Sequence, residues 1–257
     1  MMVLKTDREI EILHQAGRIA AEALAWAGRN AVPGRTTAEL DAGAEGIIRS
    51  HGATPEFKGY HGFPASICVS INEEIVHGIP GPRELREGDI VAIDVGARYR
   101  DFVGDTARTF AVGRIDDDAR RLLDATEEAL EAAIQAAKVG GRLSDISRAV
   151  QTVAENYGYS LVRDYAGHGV GRQMHEEPQV PNFVDANLLR NDVTLEEGLV
   201  IAIEPMFCVG SGRTRVGADR WTVLTADGGL SAHFEHSIAF TSRGVEVLTY
   251  ANGEVEV

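Results

Sequence analysis

The chain reads as a single α+β domain built from two similar halves, with an antiparallel sheet at its core and helices flanking it. Three observations predict this. The segment EGDIVAID, Glu87 to Asp94, returns as EGLVIAIE, Glu197 to Glu204, with the same Glu-Gly start, the same apolar run and a terminal carboxylate. Asp105 opens D-T-A-R-T-F and Glu235 opens E-H-S-I-A-F, each with a Phe five residues on, at Phe110 and Phe240. Val32-Pro-Gly-Arg-Thr-Thr37 aligns without a gap on Val139-Gly-Gly-Arg-Leu-Ser144. A unit of about 110 residues occurring twice implies a pseudo-twofold domain and not a solenoid. The halves run from about 6 to 112 and from about 116 to 245, within one domain spanning 1–257.

Each half is expected to contain a helix, a glycine break, a capped helix and then strands. Thr6 with Glu9 has the form of a capping box, and Ile10, Leu13, Gly17, Ala20 and Leu24 recur at helical spacing to about Gly28. Thr37 is the expected cap of a second helix carrying Leu40, Ala44 and Ile48. Ile67 to Ile71 reads as a short strand and His77-Gly78-Ile79-Pro80 as a turn. Asp116 to Asp118 cap a long helix through Ala137, and Gly140-Gly141 break it. Arg98 to Gly104 is the expected turn between the strands that carry Asp94 and Asp105.

An apolar run such as Ile90 to Ile93 is a strand buried on both faces, so the acid at its end is aimed inward. Two aspartates beside a turn are, taken alone, more often solvated loop residues. The parallel pair Glu204 and Glu235 changes that reading, because four converging carboxylates repel one another strongly in a low-dielectric interior unless cations lie between them. His168, in Gly167-His168-Gly169-Val170-Gly171, adds an accessible imidazole, although a histidine in a glycine loop is, taken alone, more often just part of a flexible loop. One nitrogen and four carboxylates disfavour a structural zinc site with thiolates and suit catalytic Mn, Co, Fe or Zn, two of which would offset the four charges. His77 and His175 are further candidates near glycine and proline turns. His14, His51, His61, His233 and His236 read as structural, and Cys68 and Cys208 as small buried hydrophobes.

The net charge, 25 minus 39 or −14, argues against general nucleic-acid binding. Two distant cysteines give no disulfide framework, the N-terminus lacks a secretory apolar stretch, and no apolar segment approaches the ~20 residues of a membrane span. A cytoplasmic protein is expected.

The motifs YHGFPASICVSINEEIVHGIP, GDIVAIDVG with GDTARTF, GHGVGRQMHEEP, EGLVIAIEPM and FEHSIAFT resemble those of the type I methionine aminopeptidases, from Ile10 to about Tyr250. The resemblance implies the pita-bread fold and removal of N-terminal methionine from nascent chains when the second residue is small. It implies Asp94, Asp105, His168, Glu204 and Glu235 as ligands of two divalent ions, Asp105 and Glu235 bridging, Asp94 serving one ion and His168 with Glu204 the other. His77 would lie near the scissile amide, His175 would contact the substrate carbonyl, and Glu204 would also shuttle a proton. Tyr60, Phe63, Cys68, Met174, Phe183 and Trp221 would wall the methionine pocket. Asn72 and Ser231, with a backbone carbonyl, would hold a monovalent cation, Na or K. A monomer with transient ribosome contact follows the family's habit.

Phe63 stands where the family often has Tyr, Met174 where Phe is frequent and Gly96 where Thr is common; these put the pocket's shape, not its ligands, at issue. On this resemblance the minimal form is expected, without the insertion of type II enzymes or the N-terminal zinc-binding extension of some type I members. Two alternatives share the fold: an Xaa-Pro aminopeptidase or prolidase, for whose N-terminal domain no room is expected before Thr6, and a non-catalytic binding module.

Overall fold

The computed structural model describes residues 2–250. The first half opens with helices α1 (Asp7–Asn30) and α2 (Thr37–Ser50), followed by β1 (Thr54–Pro55), β2 (Cys68–Ile71), β3 (Glu74–Val76), β4 (Ile90–Tyr99) and β5 (Phe102–Ala111). The second half repeats the order with α3 (Asp117–Ala136) and α4 (Leu143–Tyr157). After them come β6 (Ser160–Leu161), β7 (Gly167–Gly169), β8 (Glu176–Val180), a short α5 (Ala186–Arg190) and β9 (Val200–Ile203). The chain then runs through β10 (Met206–Cys208), β11 (Thr214–Val216), β12 (Val223–Thr225), β13 (Ser231–His233), β14 (Glu235–Thr241) and β15 (Gly244–Val247).

The expected antiparallel core is present. The main sheet runs β1-β4-β5-β14-β9-β7-β8, with β2 also on β4 and β15 also on β14, and its pairings are antiparallel. Its middle, β4-β5-β14-β9, joins the two copies of the repeat side by side. Each half covers its strands with its own helices. Leu40, Ala44 and Ile48 of α2 and Ala20, Ala23 and Leu24 of α1 bury Val91, Ile93 and Val95, while Leu122, Ala129, Ile146 and Val150 of α3 and α4 bury Ile201, Ile203 and Ile238.

The repeated Glu-Gly start has a backbone reason. Gly88 and Gly198 both lie at positive φ, 93° and 87°, a conformation that penalises any side chain. At Gly198 a β-carbon would also stand 2.6 Å from the carbonyl of Lys5.

The capping box at Thr6 and Glu9 is present, as is the Asp116 cap of α3. Two expectations need correction. The cap of α2 is Thr36, paired with Glu39, and not Thr37, whose hydroxyl instead donates to the Gly81 carbonyl. The β4–β5 turn is tighter than Arg98 to Gly104, since Tyr99 already pairs with Phe102. Only Arg100 and Asp101 turn, at φ 47° and 68°, the two positive values that a hairpin of this hand requires.

Candidate metal centre

Strand register brings the acids together. Asp94 on β4 and Glu235 on β14 both pair with Ala107 of β5, from opposite sides, so the three residues form one row across three strands. Asp105 lies two residues along β5, on the same face, because side chains of a strand alternate. Glu204 follows the last residue of β9, Ile203, which pairs with His236 next to Glu235. His168 comes from the opposite edge of β9, paired with Ala202.

Atoms of Asp105, His168 and Glu235 lie within 4.8 Å of one another. His168 Nε2 stands 3.5 Å from Asp105 Oδ2 and 3.8 Å from Glu204 Oε1. Its Nδ1 pairs with the Gly169 carbonyl at 2.9 Å, which directs Nε2 at the acids.

The electrostatics are those of a cation site. Burial first, then the neighbouring carboxylates, pushes Asp94 and Glu235 well above the ordinary carboxylate range. Burial raises Glu204 to about 8, with Asp105 adding to it and His168 opposing. Burial lowers the His168 imidazole, but its hydrogen bond to Asp105 and the charges of Glu204 and Asp105 outweigh that and hold it at about 9. Asp94 Oδ1, Asp105 Oδ1 and Glu235 Oε1 are buried without a hydrogen-bond partner. Three orphaned buried carboxylate oxygens are costly, and divalent cations would satisfy them all. The residues present therefore fit a divalent metal.

The acids form the floor of a cavity of about 230 Å³ that all five expected ligands line. Its walls include Tyr60, Phe63, Cys68, His77, Met174, His175 and Trp221, as expected, and also Phe57 and His61. Phe63 meets Trp221 edge-on with ring centroids 5.2 Å apart. Phe183 is not brought to this cavity; its ring lies under the Arg163 guanidinium at 4.4 Å. The His175 ring is 4.3 Å from that of His168, and its Nδ1 pairs with the Tyr60 hydroxyl at 2.8 Å. Burial and the nearby His168 push His175 down to about 4, so it is neutral near pH 7. Burial also lowers His77, whose backbone sits at φ 61°. Asn72 and Ser231 are neighbours: the Ser231 amide donates to the Asn72 carbonyl, and the Asn72 Oδ1 accepts from the Ile90 amide.

Three residues that the sequence left aside belong to the site: His61 on the cavity wall, His233 and Phe57. His233, read above as structural, is buried with Nε2 3.6 Å from Glu204 Oε2. It lies two residues before Glu235, so strand alternation would have placed it on the site face; His236, one residue after, points away and pairs with Thr249. Phe57 had no sequence signal of its own, but Gly96 was one in reverse. A β-carbon at Gly96, the cross-strand partner of Asp105, would stand 2.5 Å from Phe57 Cε1. The missing side chain makes room for the Phe57 ring beside the acids.

Residues 11–242 match the model of metallopeptidase family M24, and the chain belongs to that family. Methionine aminopeptidase 1 of Bacillus subtilis is 50% identical, the alignment covering 97% of this chain and 99% of the relative. Methionine aminopeptidase 1 of Mycobacterium tuberculosis is 46% identical over 94% of this chain and 92% of its own. The crystal structure of methionine aminopeptidase from Thermotoga maritima superposes with a TM-score of 0.94 at 43% identity, covering 97% of this chain and all of that one. Prolidase from Pyrococcus furiosus matches at a TM-score of 0.78 and 26% identity, with all of this chain covering 66% of that protein. The shared fold is the pita-bread arrangement.

Proposed function

We propose that the chain is a metal-dependent aminopeptidase that removes N-terminal methionine from nascent proteins and peptides whose second residue is small, acting as one catalytic domain with its site between the two halves. The observation that carries this reading is the juxtaposition of five ligand-type side chains, three with orphaned oxygens, on the floor of a small apolar cavity. Asp94, Asp105, His168, Glu204 and Glu235 would hold two divalent ions, of the class Co, Mn, Fe or Zn. When bound, such ions polarise a peptide carbonyl and acidify a water molecule.

The chain's own residues do the rest. Phe63, Cys68, Met174 and Trp221 offer soft, apolar contact to a thioether, and Phe57 closes the end of the cavity against Gly96. With the Tyr60 hydroxyl donating to His175 Nδ1, the imidazole proton would sit on Nε2, free to donate to the carbonyl oxygen as charge develops there. Glu204, on the cavity floor, takes a proton from the attacking water and returns it to the leaving amine. His77, in the same cavity, contacts the scissile amide. The pair Asn72 and Ser231 would take a Na or K ion, which steadies the turn after β2.

None of the described helices is long and apolar enough to cross a membrane. Cytoplasmic action on nascent chains accords with this and with the two unpaired cysteines.

The test is a side-by-side assay of Met-Ala-Ser and Ala-Pro-Ala after chelation and re-addition of Mn or Co. Metal-dependent cleavage of the methionine peptide is expected. Cleavage of the proline peptide alone would replace the reading with the prolidase one, and no cleavage of either would leave a binding module.

A further inference from the structure

The two acids expected to bridge, Asp105 and Glu235, come from different halves, and the seam between their strands is weakly built. β4 and β5 pair through ten residues on each strand, whereas β5 and β14 pair only at Glu235 with Ala107 and His236 with Thr106. The reason lies in the next residue. From Ser237 onward the returning C-terminal segment takes over the edge of β14: Leu248 donates its amide to the Ser237 carbonyl, the Ser237 amide turns to Thr249 Oγ1, and β15 pairs with Ile238 to Thr241.

Behind the seam, α1 and α3 stand apart and leave a gap. On the face opposite the acids lies a cavity of about 620 Å³ between Leu24 and Gly28 of α1 and Leu130 and Ile134 of α3, floored by Thr106 and His236.

Side-chain hydroxyls take the place of the missing ladder. Thr106 Oγ1 donates to the Glu235 carbonyl at 2.8 Å, and Ser237 Oγ donates to the Asp105 carbonyl at 2.8 Å. A third bridge follows one step along, where Thr109 Oγ1 donates to the His233 carbonyl at 2.8 Å and accepts from the His233 amide at 2.9 Å. Thr106, Thr109 and Ser237 are each 3% exposed or less, so these bonds face no competition from bulk water. The first two are reciprocal: each anchors the main chain of a metal-type acid from the other half.

We propose that Thr106 and Ser237 are positioning residues, whose hydroxyls set the separation of Asp105 and Glu235 across the seam and so tune divalent-ion binding, without touching ion or substrate. This rests on the ligand assignment above. Outer residues that orient metal ligands typically change affinity 10- to 100-fold when removed.

The experiment titrates Co²⁺ into the chelator-treated, full-length chain, followed by visible absorption and by calorimetry. Ser237→Ala and Thr106→Val, folded by circular dichroism, are expected to weaken Co²⁺ binding about tenfold or more. Both should shift the cobalt absorption bands and lower kcat more than they change KM, and Thr106→Ser should restore affinity and spectrum. Wild-type Co²⁺ affinity and spectrum in Ser237→Ala, whatever its melting temperature, would overturn the proposal even if Thr106→Val failed to fold. Asp105→Asn separates the two levels. Lost binding there with none lost in Ser237→Ala removes only the seam inference, whereas unchanged binding in Asp105→Asn removes the ligand assignment itself.

Discussion

The two halves supply acids to one site by different means. In the first half Asp94 and Asp105 sit on one hairpin closed by Arg100 and Asp101, so their relation is fixed by ten consecutive cross-strand pairs. In the second half Glu204 and Glu235 belong to strands that pair over only four residues, and between them runs an excursion through β10 to β13 that carries Trp221 to the cavity wall. The first arrangement is local and self-templating. The second depends on contacts distant in sequence, and its excursion adds only Trp221 to a pocket walled otherwise by Phe57 to Cys68, His77, Met174 and His175.

The comparison can be broken most directly at the acids. Glu204→Ala and Asp105→Asn, one from each half, are each expected to reduce kcat by about 10³ or more while circular dichroism stays native. Activity retained in either variant would mean that one half alone suffices.

A smaller effect is expected at the hairpin. Gly96→Thr drives a side chain into the Phe57 ring, an overpacking that typically costs about 1–3 kcal/mol. Denaturant unfolding should show that loss together with a raised KM for Met-Ala-Ser. A Gly96→Thr/Phe57→Ala double variant should recover most of both, and a simple sum of the single effects would show that the two positions are independent.

Two buried histidines of the second half should cost stability in acid. Burial pushes His236 down to about 4 and His233 down to about 3, below the ordinary histidine value of 6.5. The unfolded chain therefore takes up protons that the folded chain refuses. The stability that these two histidines contribute is present above about pH 6.5 and is lost as pH falls toward about 4, by roughly 1.4 kcal/mol per pH unit per histidine, while the raised carboxyls of Asp94, Glu204 and Glu235 trend the opposite way. Urea unfolding across that range checks it; His236→Gln should shallow the slope, and an unchanged slope would place the acid sensitivity elsewhere.

The smallest contrast lies in the helix starts. The α2 cap is local, Thr36 with Glu39, and Thr36→Ala is expected to cost about 1 kcal/mol. The first turn of α4 instead depends on a distant acid, Asp192, which accepts from the Ser144 amide at 3.0 Å and its hydroxyl at 2.7 Å. Asp192→Ala should cost a similar amount, and the two losses read by thermal melts should add.

What was legible in the sequence is what repeats or alternates locally. The apolar runs ending in Asp94 and Glu204, the capping box at Thr6 and the duplicated Glu-Gly starts are each set by backbone geometry over a few residues, so the strand pairs, the helices and the family motifs could be read directly. Thr36 and the two-residue turn were missed by one to three positions, because neighbouring residues compete for such roles and the outcome rests on the exact dihedral angles. Phe57 and the position of Phe183 were not legible, since each depends on which distant segment faces it, Gly96 across from Phe57 and Arg163 over Phe183, whereas alternation from Glu235 already put His233 on the site face. The sequence by itself determined that four acids and a histidine would converge. Only the tertiary structure decided how far apart the halves hold them, because the spacing across the seam is set by Thr106 and Ser237 meeting carbonyls more than 120 residues away.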